Sequence, residues 1–191
     1  MILMDSLKNI KEILDLGTCE EKIKILESLY SSNDIEIIQK IISKLDDVDI
    51  QVRGEAFSSL VLNKNKISDL LISSLGSQNK NIKGYVALVL SNRNDFNAIP
   101  EIIKLTSDQS SMVRSCALGA LGHLKAKKAK KVIHNCLLDS NLEVRKSALQ
   151  AIINLGYSLS EDKIRKISKE KDSELKRLLS NVKKESGPKG I

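Results

Sequence analysis

Tryptophan is missing from this 191-residue chain, and only five aromatic residues stand in it: Tyr30, Phe57, Tyr85, Phe96 and Tyr157. Any core must therefore be aliphatic, built from Ile, Leu, Val and Ala. Proline is down to two residues and glycine to nine, so long helices are permitted almost everywhere. The cysteines are few, odd in number and far apart: Cys19, Cys116 and Cys136. They form no CxxC pair and no zinc-ligand spacing, which predicts reduced thiols, a cytoplasmic location and neither metal nor cofactor. No apolar run approaches the roughly 18 residues of a membrane span, so no membrane partner is expected. The opening Met1-Ile-Leu-Met4 is too short for the apolar region of a signal peptide and has no basic residues before it.

Positive charge is unevenly spread. Residues 1–124 hold 14 Lys and Arg against 16 Asp and Glu, whereas residues 125–191 hold 17 against 8. The basic character belongs to the last third.

What the chain has in quantity is repetition. Ala98-Ile-Pro-Glu-Ile-Ile leads to Asp108 and then to Val113-Arg114-Ser-Cys-Ala117-Leu-Gly-Ala-Leu121-Gly122. A second copy runs through Asp139 to Val144-Arg145-Lys-Ser-Ala148-Leu-Gln-Ala-Ile152. Taken as a ruler, the basic residue after an apolar one recurs at Lys24, Arg53, Lys83, Arg114, Arg145 and Lys176, at intervals of 29, 30, 31, 31 and 31. A period of that length means stacked helical hairpins. Three residues before the apolar member stand Asp49, Asn79, Ser110, Asn141 and Asp172, all good N-caps, with the poorer Glu20 in the first copy. They start the second helix of each hairpin, B. Its apolar face is spaced as Val52, Ala56, Leu60 or as Val144, Ala148, Ile152. The alanine is small where two helices approach closely. First helices, A, are expected at 6–16, 34–45, 66–75, 98–105, 125–138 and 160–168, with Pro100 in a first turn where its missing N–H costs nothing.

Ala98-Ile-Pro-x-x-Ile, Asp108 and Val113-Arg114-x-x-Ala117-x-x-Ala120-Leu121 together resemble the HEAT repeat, closest to the short, roughly 31-residue PBS-lyase HEAT-like subtype. The resemblance is specific in repeats four and five, clear in two, degraded in three and marginal at the ends, as capping repeats are. It implies an all-α fold, an α-solenoid of the armadillo/HEAT type with about six two-helix repeats over 1–182. Residues 183–191 are read as a disordered basic tail. It also implies a right-handed superhelix whose B helices line the concave side, and a role in binding partners, most often proteins. Related iron-dependent hydroxylases carry His-Glu pairs, but here Leu124 follows His123 and Asn135 follows His134. The chromophore lyases that gave the subtype its name have no marker residue in this chain.

Catalysis finds little support. Asp47/Arg53, Asp108/Arg114 and Asp139/Arg145 recur layer after layer, as scaffolding does, whereas a catalytic pair occurs once. Cys116 and His123 share a helix face but stand about 10 Å apart along it, too far for a nucleophile and its base. No enzyme is expected. Two surfaces remain. A B-helix stripe of Tyr85, Leu88, Met112, Cys116, His123 and Gln150 has an apolar centre and a polar rim, suited to a peptide or helix; the alternative is that these side chains only pack against neighbouring B helices. A basic patch combines Lys125, Lys127, Lys128, Lys130 and Lys131 with Lys163, Arg165, Lys166 and Lys169. It reads either as a solvated outer face or as a site for acidic protein or nucleic acid. The leading expectation is a non-catalytic protein-binding adaptor. Sequence-nonspecific nucleic-acid binding through the basic third is the alternative, and a lyase-type subunit of an enzyme complex comes after it.

Overall fold

The computed structural model describes residues 2–169 and 171–184. The chain divides into two compact units, Met1–Asp95 and Phe96–Ile191. The first holds three helical hairpins: α1 (Ile2–Leu16) with α2 (Cys19–Ser28), α3 (Ile35–Ser43) with α4 (Ile50–Leu62), and α5 (Ser68–Ser74) with α6 (Lys80–Asn92). The second holds three more: α7 (Ile99–Leu105) with α8 (Ser111–His123), α9 (Lys130–Cys136) with α10 (Leu142–Leu155), and α11 (Glu161–Ile167) with α12 (Ser173–Ser180). Single 3-10 turns at Lys44–Asp46, Phe96–Ala98 and Lys127–Ala129 extend α3, α7 and α9. The even-numbered helices are the B helices.

The A–B turns are set by short polar side chains. The side chains of Asp47, Ser77, Asp108 and Asp139 each accept the amide two residues on, at 3.1, 3.1, 2.8 and 2.9 Å. Those amides belong to Asp49, Asn79, Ser110 and Asn141, the expected N-caps. Asp49, Asn79, Asn141 and Asp172 then accept from first-turn amides of their helices, each such bond contributing about 1 kcal/mol. Ser110 holds the cap position without a side-chain bond. The first hairpin departs from the expectation. Its B helix is capped by Thr18, not Glu20, in a reciprocal box with Glu21. The 29-residue first interval of the ruler had displaced the cap. Helix α1 likewise starts at Ile2 rather than residue 6, because nothing in Ile2–Asp5 stops a helix.

The cores are aliphatic. Ile37, Ile38, Ile41 and Leu45 from the α3 hairpin and Val52, Ala56 and Leu60 from α4 are fully buried in the first unit. In the second, Val113, Ala117 and Leu121 of α8 and Val144, Ala148 and Ile152 of α10 are buried likewise. Lys183 and Lys184, assigned by the sequence to the disordered tail, instead pair in parallel with Ser158–Leu159. The rest of that tail, 185–191, lies outside the described residues.

B helices also end alike. Asn94, Lys125 and Gly156 have φ of 56°, 48° and 67°, and they stand 31 residues apart. After each, the next amide reaches back five residues: Asp95 to Leu90, Ala126 to Leu121 and Tyr157 to Ile152, at 3.0, 3.0 and 3.1 Å. This is a Schellman C-cap, whose left-handed residue is free of strain only as glycine and is tolerated as asparagine. Lysine at 125 is neither. Replacing Lys125 with Gly is expected to stabilise the chain by about 0.5–1 kcal/mol, the left-handed penalty less glycine's greater freedom in the unfolded state. Urea denaturation of the two proteins checks it; an unchanged or lower midpoint would refute the strain.

Candidate functional site

Tyr85 and Leu88 stand one turn apart on α6, both half-buried. With Ile50, Gly54 and Phe57 of α4 they line a cavity of about 330 Å³ in the first unit. Its walls are apolar. Arg53 is at its edge, its guanidinium turned to backbone: Nη1 donates to the Asp47 and Val48 carbonyls at 2.7 and 3.2 Å. Ile50 is 72% exposed at one lip. Gly54 leaves the wall bare, since a Cβ built on it would meet nothing within 4 Å. The structure thus brings Tyr85 and Leu88 together but gives them partners the sequence did not select. Register had matched them with Glu55 and Ser58. The cavity takes Gly54 and Phe57 instead, each one residue earlier on α4 than the register match. An exposed Ile50 four residues before Gly54 was the available signal.

The other stripe residues belong to the second unit. Met112 and Cys116 on α8 are half-buried, and His123 in the last turn of α8 is exposed. Burial pushes the Cys116 thiol up to about 11, so it is overwhelmingly protonated at neutral pH and a poor nucleophile. Gln150 on α10 is exposed and donates from Nε2 to Asn154 Oδ1 at 2.8 Å.

The basic patch resolves into parts. Lys125, Lys127 and Lys128 border a cavity of about 550 Å³ whose apolar lining is Phe96, Ile99, Pro100 and Leu124. Lys130 lies over the ring of Tyr157, 4.9 Å from its centroid, and the Tyr157 hydroxyl donates to the Lys127 carbonyl at 3.2 Å. Lys163 of α11 meets His134 Nδ1 of α9 at 3.1 Å. Arg165 is 4.0 Å from Asp162, both well exposed. Lys131, Lys166 and Lys169 are exposed.

The recurrent Asp and Arg residues hold hairpins together. Arg114 Nη1 donates to the carbonyls of Asp108 and Gln109 at 2.9 and 3.1 Å. Its Nε and Nη2 form a fork on both oxygens of Asp139, in the next hairpin, each at 2.8 Å. The Arg114 bond, foremost, and the Asn141 amide hold the Asp139 carboxyl below the usual carboxylate range, although burial works to raise it. In the first unit Lys22 reaches Asp47 at 3.1 Å in the equivalent way. Burial would raise Asp47, but the Asp49 amide and the Lys22 and Lys44 ammonium groups outweigh it and lower its pKa.

No helix of the described residues is long and apolar enough to cross a membrane. Among the described residues no three His, Cys, Asp or Glu side chains gather as a metal site.

A family model of HEAT repeats matches residues 67–153 and 99–178, together more than half of the chain. The chain belongs to the HEAT repeat family. Its fold is all-α, of the armadillo/HEAT solenoid class. Among solved structures, the complex of CpcE and CpcF of phycocyanin lyase from Nostoc sp. PCC7120 is similar to this HEAT repeat chain with a TM-score of 0.65 and 16% identity, covering 77% of this chain and 98% of that one. A computationally designed armadillo repeat protein for modular peptide recognition matches with a TM-score of 0.52 and 16% identity, covering 91% and 96%. Another designed armadillo repeat protein, in complex with the peptide (KR)4, gives 0.54 and 17%, covering 91% and 96%. At these identities the likeness is one of fold. No curated protein sequence matches the chain significantly.

Proposed function

We propose that this HEAT repeat protein is a non-catalytic adaptor that holds an extended or helical segment of a protein partner on its B-helix face. The observation that carries this reading is the apolar cavity between α4 and α6, walled by Phe57, Tyr85 and Leu88 and bared by Gly54. A water-exposed concavity with few polar groups suits an apolar anchor side chain of a partner. Met112 and Cys116, rimmed by His123 and Gln150, offer a second apolar-centred stripe on the second unit. Peptide recognition by the designed armadillo proteins of similar fold supports this use of such a face. The three cysteines are free thiols, which suits the reducing cytoplasm.

Panning a displayed random-peptide library on the intact protein is expected to enrich peptides sharing an apolar anchor. Tyr85→Ala should weaken the selected peptides roughly tenfold, the loss of one interface hot spot. Gly54→Gln should abolish binding by filling the cavity while raising stability by up to about 1 kcal/mol, because a better helix former enters open space. Selected peptides indifferent to both changes would overturn the proposal.

A further inference from the structure

The cavity beside Phe96, in the second unit, has a different chemistry from the one between α4 and α6. Phe96 is 60% exposed, against the buried aliphatic residues that make up the core of its unit. Together with Ile99, Pro100 and Leu124 it gives the cavity an apolar floor. Lys125, Lys127 and Lys128 line the cavity as well, and among the described residues none of the three has a carboxylate partner. The neighbouring Glu101 is held by Lys104 at 2.7 Å. We propose that this cavity docks an acidic peptide segment through one apolar anchor side chain, its carboxylates meeting Lys125, Lys127 and Lys128.

Three further features fit this occupant. Lys125 sits at a left-handed C-cap, φ 48°, where the next repeat places Gly156. A side chain kept where the backbone favours glycine is a cost that a charge lining the cavity accounts for. The lysine turn is also fixed in place, since the Lys127 carbonyl accepts the Tyr157 hydroxyl. Finally, a nucleic-acid strand would want successive aromatic platforms for its bases. Here the cavity offers a single ring among aliphatic side chains, and the Tyr157 ring is already covered by Lys130.

Fluorescence anisotropy on the full chain tests the assignment with three fluorescein-labelled probes: a peptide of aspartates around a central Leu-Phe pair, the same peptide with Ser-Ser at its centre, and single-stranded oligothymidylate. The Leu-Phe peptide is expected to bind at least roughly tenfold more tightly than the Ser-Ser peptide, and Phe96→Ala or the pair Lys127→Glu/Lys128→Glu should each remove about that factor. The pair Lys166→Glu/Lys169→Glu, away from the cavity, should leave peptide binding unchanged. Lys125→Gly should bind the peptide more weakly while gaining stability. Equal binding of the two peptides, no binding of either, or indifference to Phe96→Ala would overturn the proposal. So would tighter binding of oligothymidylate that both lysine pairs weaken alike, which would assign the patch to nucleic acid. Should Phe96→Ala fail to fold, the exposed Lys127/Lys128 pair carries the same test.

Discussion

Arg114→Ala is expected to destabilise the protein by about 3 kcal/mol, the low end of what breaking a buried ion pair costs. The low end applies because the two side chains keep 14% and 13% of their surface in water. The substitution removes a forked, charge-assisted pair to Asp139 and the donors to the Asp108 and Gln109 carbonyls. It leaves Asp139 desolvated with less to offset its charge. Arg114→Lys keeps the charge but loses the fork, and should recover less than half of the loss. The interaction also has a pH signature. Asp139 has its folded pKa depressed, so its contribution is fully present above the unfolded carboxylate value of about 3.9 and is lost as pH falls through the lower folded value. Asp47, Asp49 and Asp172 are depressed as well, so the wild-type protein loses stability in acid for several reasons at once. The difference between wild type and Arg114→Ala reports chiefly on Asp139, with a smaller share from Asp108. In urea denaturation that difference should be constant from neutrality down to about pH 5 and shrink below about pH 4. A difference under about 0.5 kcal/mol at neutral pH, or one that does not shrink in acid, would show that the bridge is ornamental.

How much of this was legible beforehand can be followed residue by residue. Periodicity of Val, Ala and Leu placed the B-helix cores, because burial of one helical face is a requirement written at fixed spacing. Cap residues located five of the six A–B turns, since an orphan amide can be met by only a few side chains. The role of the recurrent Arg was legible only as scaffolding. That scaffolding was read as tying one layer to the next; the forked geometry of Arg114 on both oxygens of Asp139 depends on how the hairpins stack, which no local pattern encodes. The candidate site was read least well. Tyr85 and Leu88 were found by register, but Gly54 and Phe57 were missed, because equivalent positions on two B helices are not the positions that face each other, and one residue turns a helix face by about 100°. Phe96 escaped for another reason. It lies far in sequence from Lys127, in a different hairpin, and only folding makes them neighbours. The left-handed cap shared by Asn94, Lys125 and Gly156 was available in the 31-residue period, but its lysine hid it.

Gly122→Leu is expected to cost the second unit about 3 kcal/mol or more, at the upper end of overpacking. Sequence reasoning put the close approach of B helices at Ala117 and Ala148. Both are fully buried, but the contact that leaves no room for a Cβ is at Gly122. A Cβ built there would stand 2.9 Å from Ala151 Cα and 3.1 Å from its Cβ. Because the first of these is backbone, no rotamer change can relieve it; α8 and α10 would have to separate, and close-packed interiors resist that. Even Gly122→Ala, which gains about 1 kcal/mol of helix propensity, should come out destabilising. Gly54→Ala provides the control. It makes the same exchange within a B helix, but its Cβ meets nothing within 4 Å, so the propensity gain should appear undiminished. Thermal unfolding of the two variants should therefore shift in opposite directions, Gly54→Ala upward and Gly122→Ala downward. If both rose, the α8–α10 contact would have slack for a methyl group, and the tight packing ascribed to Gly122 would be wrong.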